Sequence, residues 1–212
     1  MSSSTNLKDE WARDMAALGA AAESASSIFE DIQRHYGSSE RHYHGLSHLK
    51  ALFHLIDTYA PQPAGSAVRF AIWWHDVIYD PLSSQNEVAS AQLARSQLGL
   101  LGAGEPLIET VCALIEATKN HFAAPSFGAD DVVLDADIAI LGAPDEIYWT
   151  YTQQIRLEYH QIPDPIFAAG RKRFLETATQ WPRIFKTDIF EAEFGHQART
   201  NLERELRLYQ TS

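Results

Sequence analysis

With one cysteine in 212 residues, the chain has no disulfide framework, no thiolate metal site and no CxxC redox pair. That cysteine, Cys112, lies in the apolar run TVCALIEAT and reads as a small core residue. Basic residues are also scarce: 17 Lys and Arg against 28 Asp and Glu give a net charge of -11. Such a balance excludes a broad nucleic-acid or anionic-lipid surface, so an anionic substrate must be held by a few cations or by a metal. No stretch of 18 apolar residues is present to span a membrane, and MSSSTNLKDEWARDM has neither the basic n-region nor the apolar h-region of a secretory signal. The expected location is the cytoplasm. Glycine-rich phosphate loops, base-reading signatures and internal repeats are missing as well. What the chain does have is 45% hydrophobic and 11% aromatic content, ample for one core, and a single domain over residues 1–212 is expected.

Apolar residues recur at helical spacing almost throughout. Residues 7–35 carry Trp11, Met15, Leu18, Ile28 and Ile32 as a first helix, and Leu49, Leu52, Phe53, Ile56 and Tyr59 form a second before the APQPAG break. RFAIWWHDVIYD is apolar nearly without interruption, as in a helix buried on most sides, although its β-branched and aromatic content also permits a strand. Ser84 with Glu87 forms a capping-box pattern for the next helix, and Glu105-Pro106 opens another. Residues 122–133 read as a loop and DADIAIL as a short helix, with later starts at Asp145, Asp164-Pro165 and Asp188. Nothing alternates with period two for long, so the expected class is all-α.

Ionisable residues inside these apolar runs carry the functional signal. RHYHGLSHLKALFHL holds His42, His44, His48 and His54 within fifteen residues. His75 and Asp76 interrupt the most hydrophobic segment, where a carboxylate needs a cation or several donors. A divalent ion answers both residues at once, since imidazole and carboxylate suit Mn, Mg, Fe, Co, Ni or Zn; local pairing of the two in the core is the alternative.

The ordered set YHGLSH, WHD and DAD resembles the HD superfamily of metal-dependent phosphohydrolases. RHYHGLSHL, AIWWHDVIYD, NEVASA, ATKNH, DADIAILG, IRLEYHQIPD and GRKRFL extend the likeness, over most of residues 40–208, to the branch of predicted metal-dependent HD phosphohydrolases. The resemblance implies a helical bundle in which His48, His75, Asp76 and Asp137 hold one divalent ion, or two if Asp76 bridges. Asp135 then belongs to the surroundings of the site or caps a helix, although its role and that of Asp137 can be exchanged. YHGLSH is also similar to the YHNxxH segment of cyclic-nucleotide phosphodiesterases, which makes His44 the candidate acid toward a leaving group. Gly45 stands where that segment has Asn and removes a side-chain anchor for His44.

Around these ligands, Glu87 either orients a water or merely caps its helix. His121 either lines the site or is a hydrogen-bonded core residue. Lys119, Arg156 and Arg171 are candidate phosphate contacts, against ordinary helix-surface ion pairing. His35, His42, His54, His160 and His196 read as surface or structural. The implied activity is hydrolysis of a phosphomonoester or phosphodiester of a nucleotide or other small metabolite. Two alternatives are a metal-binding sensor domain without turnover and a di-iron HD oxygenase, which needs two further His ligands where only His121 is available. Phe190, Phe194 and Tyr209 would suit a homodimer interface as well as a core.

Overall fold

The computed structural model describes residues 6–209, and among them every regular element is helical. The α-helices are α1 Leu7–Leu18, α2 Ala22–Tyr36, α3 Leu46–Tyr59, α4 Ala67–Trp74, α5 Asn86–Leu100, α6 Glu105–Ala117, α7 Val132–Ile138, α8 Asp145–Glu158, α9 Asp164–Gln180 and α10 Asp188–Leu208. The all-α expectation holds, and no helix among the described residues is long and apolar enough to cross a membrane.

Several boundaries differ from the pattern reading for local reasons. The expected helix over 7–35 is two helices, because Gly19 adopts φ +74° and closes α1, its N–H donating to Ala16 O. The start of α5 is not a capping box. Its first residue is Asn86, whose side chain exchanges hydrogen bonds with the backbone of Asp80, so Glu87 has no capping role. Residues 128–131 form a 3-10 turn within the expected loop. Phe190 is fully buried, and Phe194 and Tyr209 pack partly buried against the core, so all three contribute to packing within the chain. Cys112 is buried and donates to Ala91 O.

α4 is the central element, with seven of its eight residues buried. Trp73 and Trp74 pack beside Trp11 of α1, and Phe53 of α3 lies 4.6 Å from Trp73. The same helix buries Arg69, which donates to Asp14 at 2.6 Å and to Glu10 at 2.6 Å, while Asp14 also accepts from Trp73 Nε1 and Gly65 N. These acceptors match the buried guanidinium and raise its pKa against the effect of burial. They lock α1 onto α4 and so fix the C-terminal end of α4, where His75 begins.

Removing Asp14 leaves Arg69 Nε, Trp73 Nε1 and Gly65 N without their acceptor and the buried guanidinium with Glu10 and Asp57 alone. Asp14→Ala is therefore expected to destabilise the fold by about 3–5 kcal/mol, read as a fall in the urea midpoint; an unchanged midpoint would show that Glu10 and Asp57 suffice.

Candidate metal centre

Helix α4 ends because its next backbone groups are diverted. The regular partner of Asp76 N–H would be Ile72 O, but that carbonyl accepts from His75 Nδ1 at 2.9 Å. Asp76 N–H donates instead to the Tyr36 hydroxyl at 3.1 Å, and Val77 N–H closes a turn on Trp74 O. The segment 75–80 is thus a turn, not the continuation of the helix that its apolar character suggested. The contact to Ile72 O has a chemical consequence. A carbonyl only accepts, so Nδ1 carries the hydrogen, and a neutral His75 ring presents its Nε2 lone pair to the site.

Two further elements meet this turn. His48 enters from the first turn of α3, which begins at Leu46, and Asp137 comes from α7. His48, His75, Asp76 and Asp137 offer ligand atoms that all lie within 4.8 Å of one another. His48 Nε2 is 3.1 Å from His75 Nε2, 3.1 Å from Asp137 Oδ1 and 4.0 Å from Asp76 Oδ2. His75 Nε2 is 3.2 Å from Asp76 Oδ2 and 3.6 Å from Asp137 Oδ1. Donors about 2.1 Å from one ion lie roughly 3.0 Å apart along an octahedral edge and roughly 3.4 Å apart along a tetrahedral one. The donor set and its spacing fit a divalent metal ion, and this buried group can hold one.

His44 lies in the loop before α3 yet reaches the cluster, with Nε2 4.0 Å from Asp76 Oδ2. Its orientation comes from Glu158 at the end of α8. One oxygen of this buried carboxylate accepts from the N–H groups of Tyr43 and His44, and the other pairs with His44 Nδ1 at 2.7 Å and accepts from the Tyr79 hydroxyl. Glu158 thus supplies the anchor absent at Gly45. A side chain at Gly45 would crowd Tyr36 O at 3.3 Å and Arg41 O at 3.4 Å, so glycine lets the loop pass close. Arg41 ties the loop to the turn, donating to His44 O, Asp76 O and Val77 O between the rings of Tyr36 and Tyr79. Neither Arg41 nor Glu158 is among the site residues expected from the sequence. The excess of donors around RHYHG was the one available signal.

His121 donates from Nε2 to Asp137 Oδ2 at 2.8 Å and lines the same cavity. Glu87 also lines it, and its Oε2 is buried with no hydrogen-bond partner, 3.5 Å from Lys119 Nζ. Lys119 is engaged by Glu87 and by Ser84 O at the rim. Arg156 is turned away, bound to Asp164 and to the carbonyls of Tyr159 and Ile162. Arg171 reaches the cavity wall, but its fork is taken up by Glu205 at 2.8 and 2.9 Å. Asp135 points to the opposite side of α7 and accepts from Lys186 N, Thr187 N and Thr187 Oγ1, fixing the start of α10. It is therefore not part of the surroundings of the metal group. His42, His54, His160 and His196 are exposed, and His35 sits beside Asp31.

The electrostatics favour a cation. Burial alone would raise the Asp76 and Asp137 carboxyls, but His75 beside both, with His121 and His48 on Asp137, holds them well below the usual range. For His75, burial opposes the imidazolium, yet the charges of Asp76 and Asp137 outweigh it and push the pKa up to about 9. Burial and the charge on His75 keep His48 low. The protonated His75 ring is thus favoured beside the two carboxylates, with its Nε2 3.1 Å from His48 Nε2.

No protein-family model matches the chain, and no curated protein matches it.

The sign of the pH dependence follows from His75. Its pKa is raised from 6.5 to about 9, so the metal-free fold has this stabilisation in full below pH 6.5 and loses it as pH rises through 9. An ion must displace the same proton, so metal affinity should rise with pH over that window, with about one proton released per ion at pH 7. Titration calorimetry in two buffers of different ionisation enthalpy counts it; a buffer-independent heat would mean that His75 is neutral before binding.

Proposed function

We propose that the chain is a metal-dependent phosphohydrolase of the HD type, acting on a phosphomonoester or phosphodiester of a small metabolite. The observation that carries this reading is the placing of His44 Nε2 4.0 Å from Asp76 Oδ2, at the edge of a four-donor cluster that opens on a cavity of about 580 Å³. A storage or sensor site needs ligands, but it has no use for a second histidine held by a buried carboxylate and aimed at the cavity side of the ligands.

His48, His75, Asp76 and Asp137 would hold the ion, for which Mn, Mg, Fe, Co, Ni and Zn are all suitable. The chemistry it supplies when bound is acidification of a water and polarisation of a phosphoryl oxygen. The chain's own residues supply the rest. Ester hydrolysis forms a bond from water oxygen to phosphorus, breaks the bond to the leaving oxygen, and needs one proton at that oxygen. His44 is built to deliver it. Burial disfavours its imidazolium, but the bond to Glu158 and the charge of Asp76 raise its pKa above the ordinary value, which favours the protonated ring that a general acid needs. Glu158 fixes the ring by Nδ1 and so keeps Nε2 on the side facing Asp76. Glu87 on the cavity wall pairs with Lys119 through Oε2, and His121 steadies Asp137 through its second oxygen.

Two variants separate binding from chemistry. His75→Ala with Asp76→Ala should lose both bound metal, by elemental analysis, and phosphate release. His44→Ala should keep the metal and lower turnover by about 10²–10⁴. Full activity in either variant would sink the assignment.

A further inference from the structure

The wall opposite the ligands differs from what a polyphosphate would need. It is built by one face of α9, Ile166, Phe167, Gly170, Arg171 and Phe174, with Tyr151, Ile155 and Tyr159 of the α8 end completing it. Ile166 is 64% exposed, a large apolar side chain left open beside the cavity. Among the described residues, Arg171 is the only Lys or Arg on this wall, and it is not free to bind an anion. Besides its bidentate pair with Glu205 it donates to the Tyr151 hydroxyl, and its guanidinium lies 5.3 Å from the Tyr151 ring and 5.0 Å from the Phe174 ring. The carboxylates facing the cavity are Asp76, Glu87 and Asp137, so a second or third phosphate would meet no free cation there.

Gly170 is the unusual member of this face. It sits inside a 17-residue helix, where glycine is a poor helix former, and it does not adopt a positive φ that would require glycine. A Cβ built on it meets nothing within 4 Å. Neither backbone conformation nor packing calls for glycine here, and its exposed position on the cavity side of α9 leaves that stretch of the wall without a side chain.

We infer that the cavity takes an ester carrying a single phosphate on a neutral, largely apolar body, and that Gly170 makes room for that body between Phe167 and Phe174. The inference rests on the hydrolytic reading above and narrows its substrate class. The phosphate lies toward the ligands and His44, and the body stacks against α9. Gly170 is a specificity residue; it does not touch the reacting atoms.

The test uses the full chain loaded with Mn²⁺. Phenyl and 1-naphthyl phosphate should exceed glycerol phosphate in kcat/KM by at least tenfold, and adenosine monophosphate should exceed the triphosphate by a similar factor. Gly170→Leu should lower the ratio of naphthyl to phenyl kcat/KM at least tenfold and weaken calorimetric binding of the non-hydrolysable 1-naphthylmethylphosphonate to a similar degree. Gly170→Ala should raise the Tm by about 2–4 °C, showing that the helix prefers a side chain that the cavity does not. Preference for glycerol phosphate or for the triphosphate, or a Leu variant with the parent's ratio and affinity, would overturn the inference and leave the hydrolase reading standing. Absence of phosphate release from every ester would overturn both.

Discussion

Two carboxylates and two imidazoles cannot share a few buried ångströms unless positive charge comes with them, and much of this structure is arranged around that constraint. The ligand atoms arrive from α3, from the turn after α4 and from α7, so no single helix carries the site. Their approach is enforced by satisfied polar groups farther out: Ile72 O on His75, the Tyr36 hydroxyl on Asp76 N–H, and His121 on the free oxygen of Asp137. Each of these fixes a ligand through a hydrogen bond made on the side away from the cluster, which is how an oriented donor set is kept open.

The charge logic extends to the rest of the cavity. Cations able to bind an anion are already committed: Arg41 to carbonyls, Arg69 to the α1 carboxylates, Arg171 to Glu205. Positive charge at the site is left to histidine and to the ion that the His and Asp group can hold. A surplus of acidic residues over basic ones is therefore compatible with a phosphate-ester reading, because one phosphate needs only local compensation.

The helical class and most helix starts were legible from spacing, since a 3.6-residue apolar stripe and residues such as Pro106 and Pro165 act locally. His48, His75, Asp76 and Asp137 stood out because ionisable groups in apolar runs are costly. What the sequence did not disclose depended on distant partners. The end of α4 is decided by Tyr36 and by a side chain folding back on Ile72, and neither shows in local propensity. Glu87 matched a capping box in spacing, but Asn86 and Asp80 formed the competing closure. Glu158 lies 114 residues from His44, so its role as the anchor could not be read from a pattern confined to one helix.

The seven-residue α7 has a carboxylate working on each side: Asp137 faces the ligand cluster while Asp135, two residues earlier, holds Lys186 and Thr187 at the entry to α10. The short helix is thus clamped between the metal group and a segment near the end of the chain. During synthesis the His and Asp ligands all leave the ribosome well before Thr187 and α10, a lag of several seconds at about 5–20 residues per second. Without residues 186 and 187, α7 lacks its outer anchor, and Asp137 is held only from the ligand side, by His121 and the packing of α7 on α3 and α4. A polypeptide cut before Lys186 would carry all four ligands without the outer clamp on the helix that presents one of them.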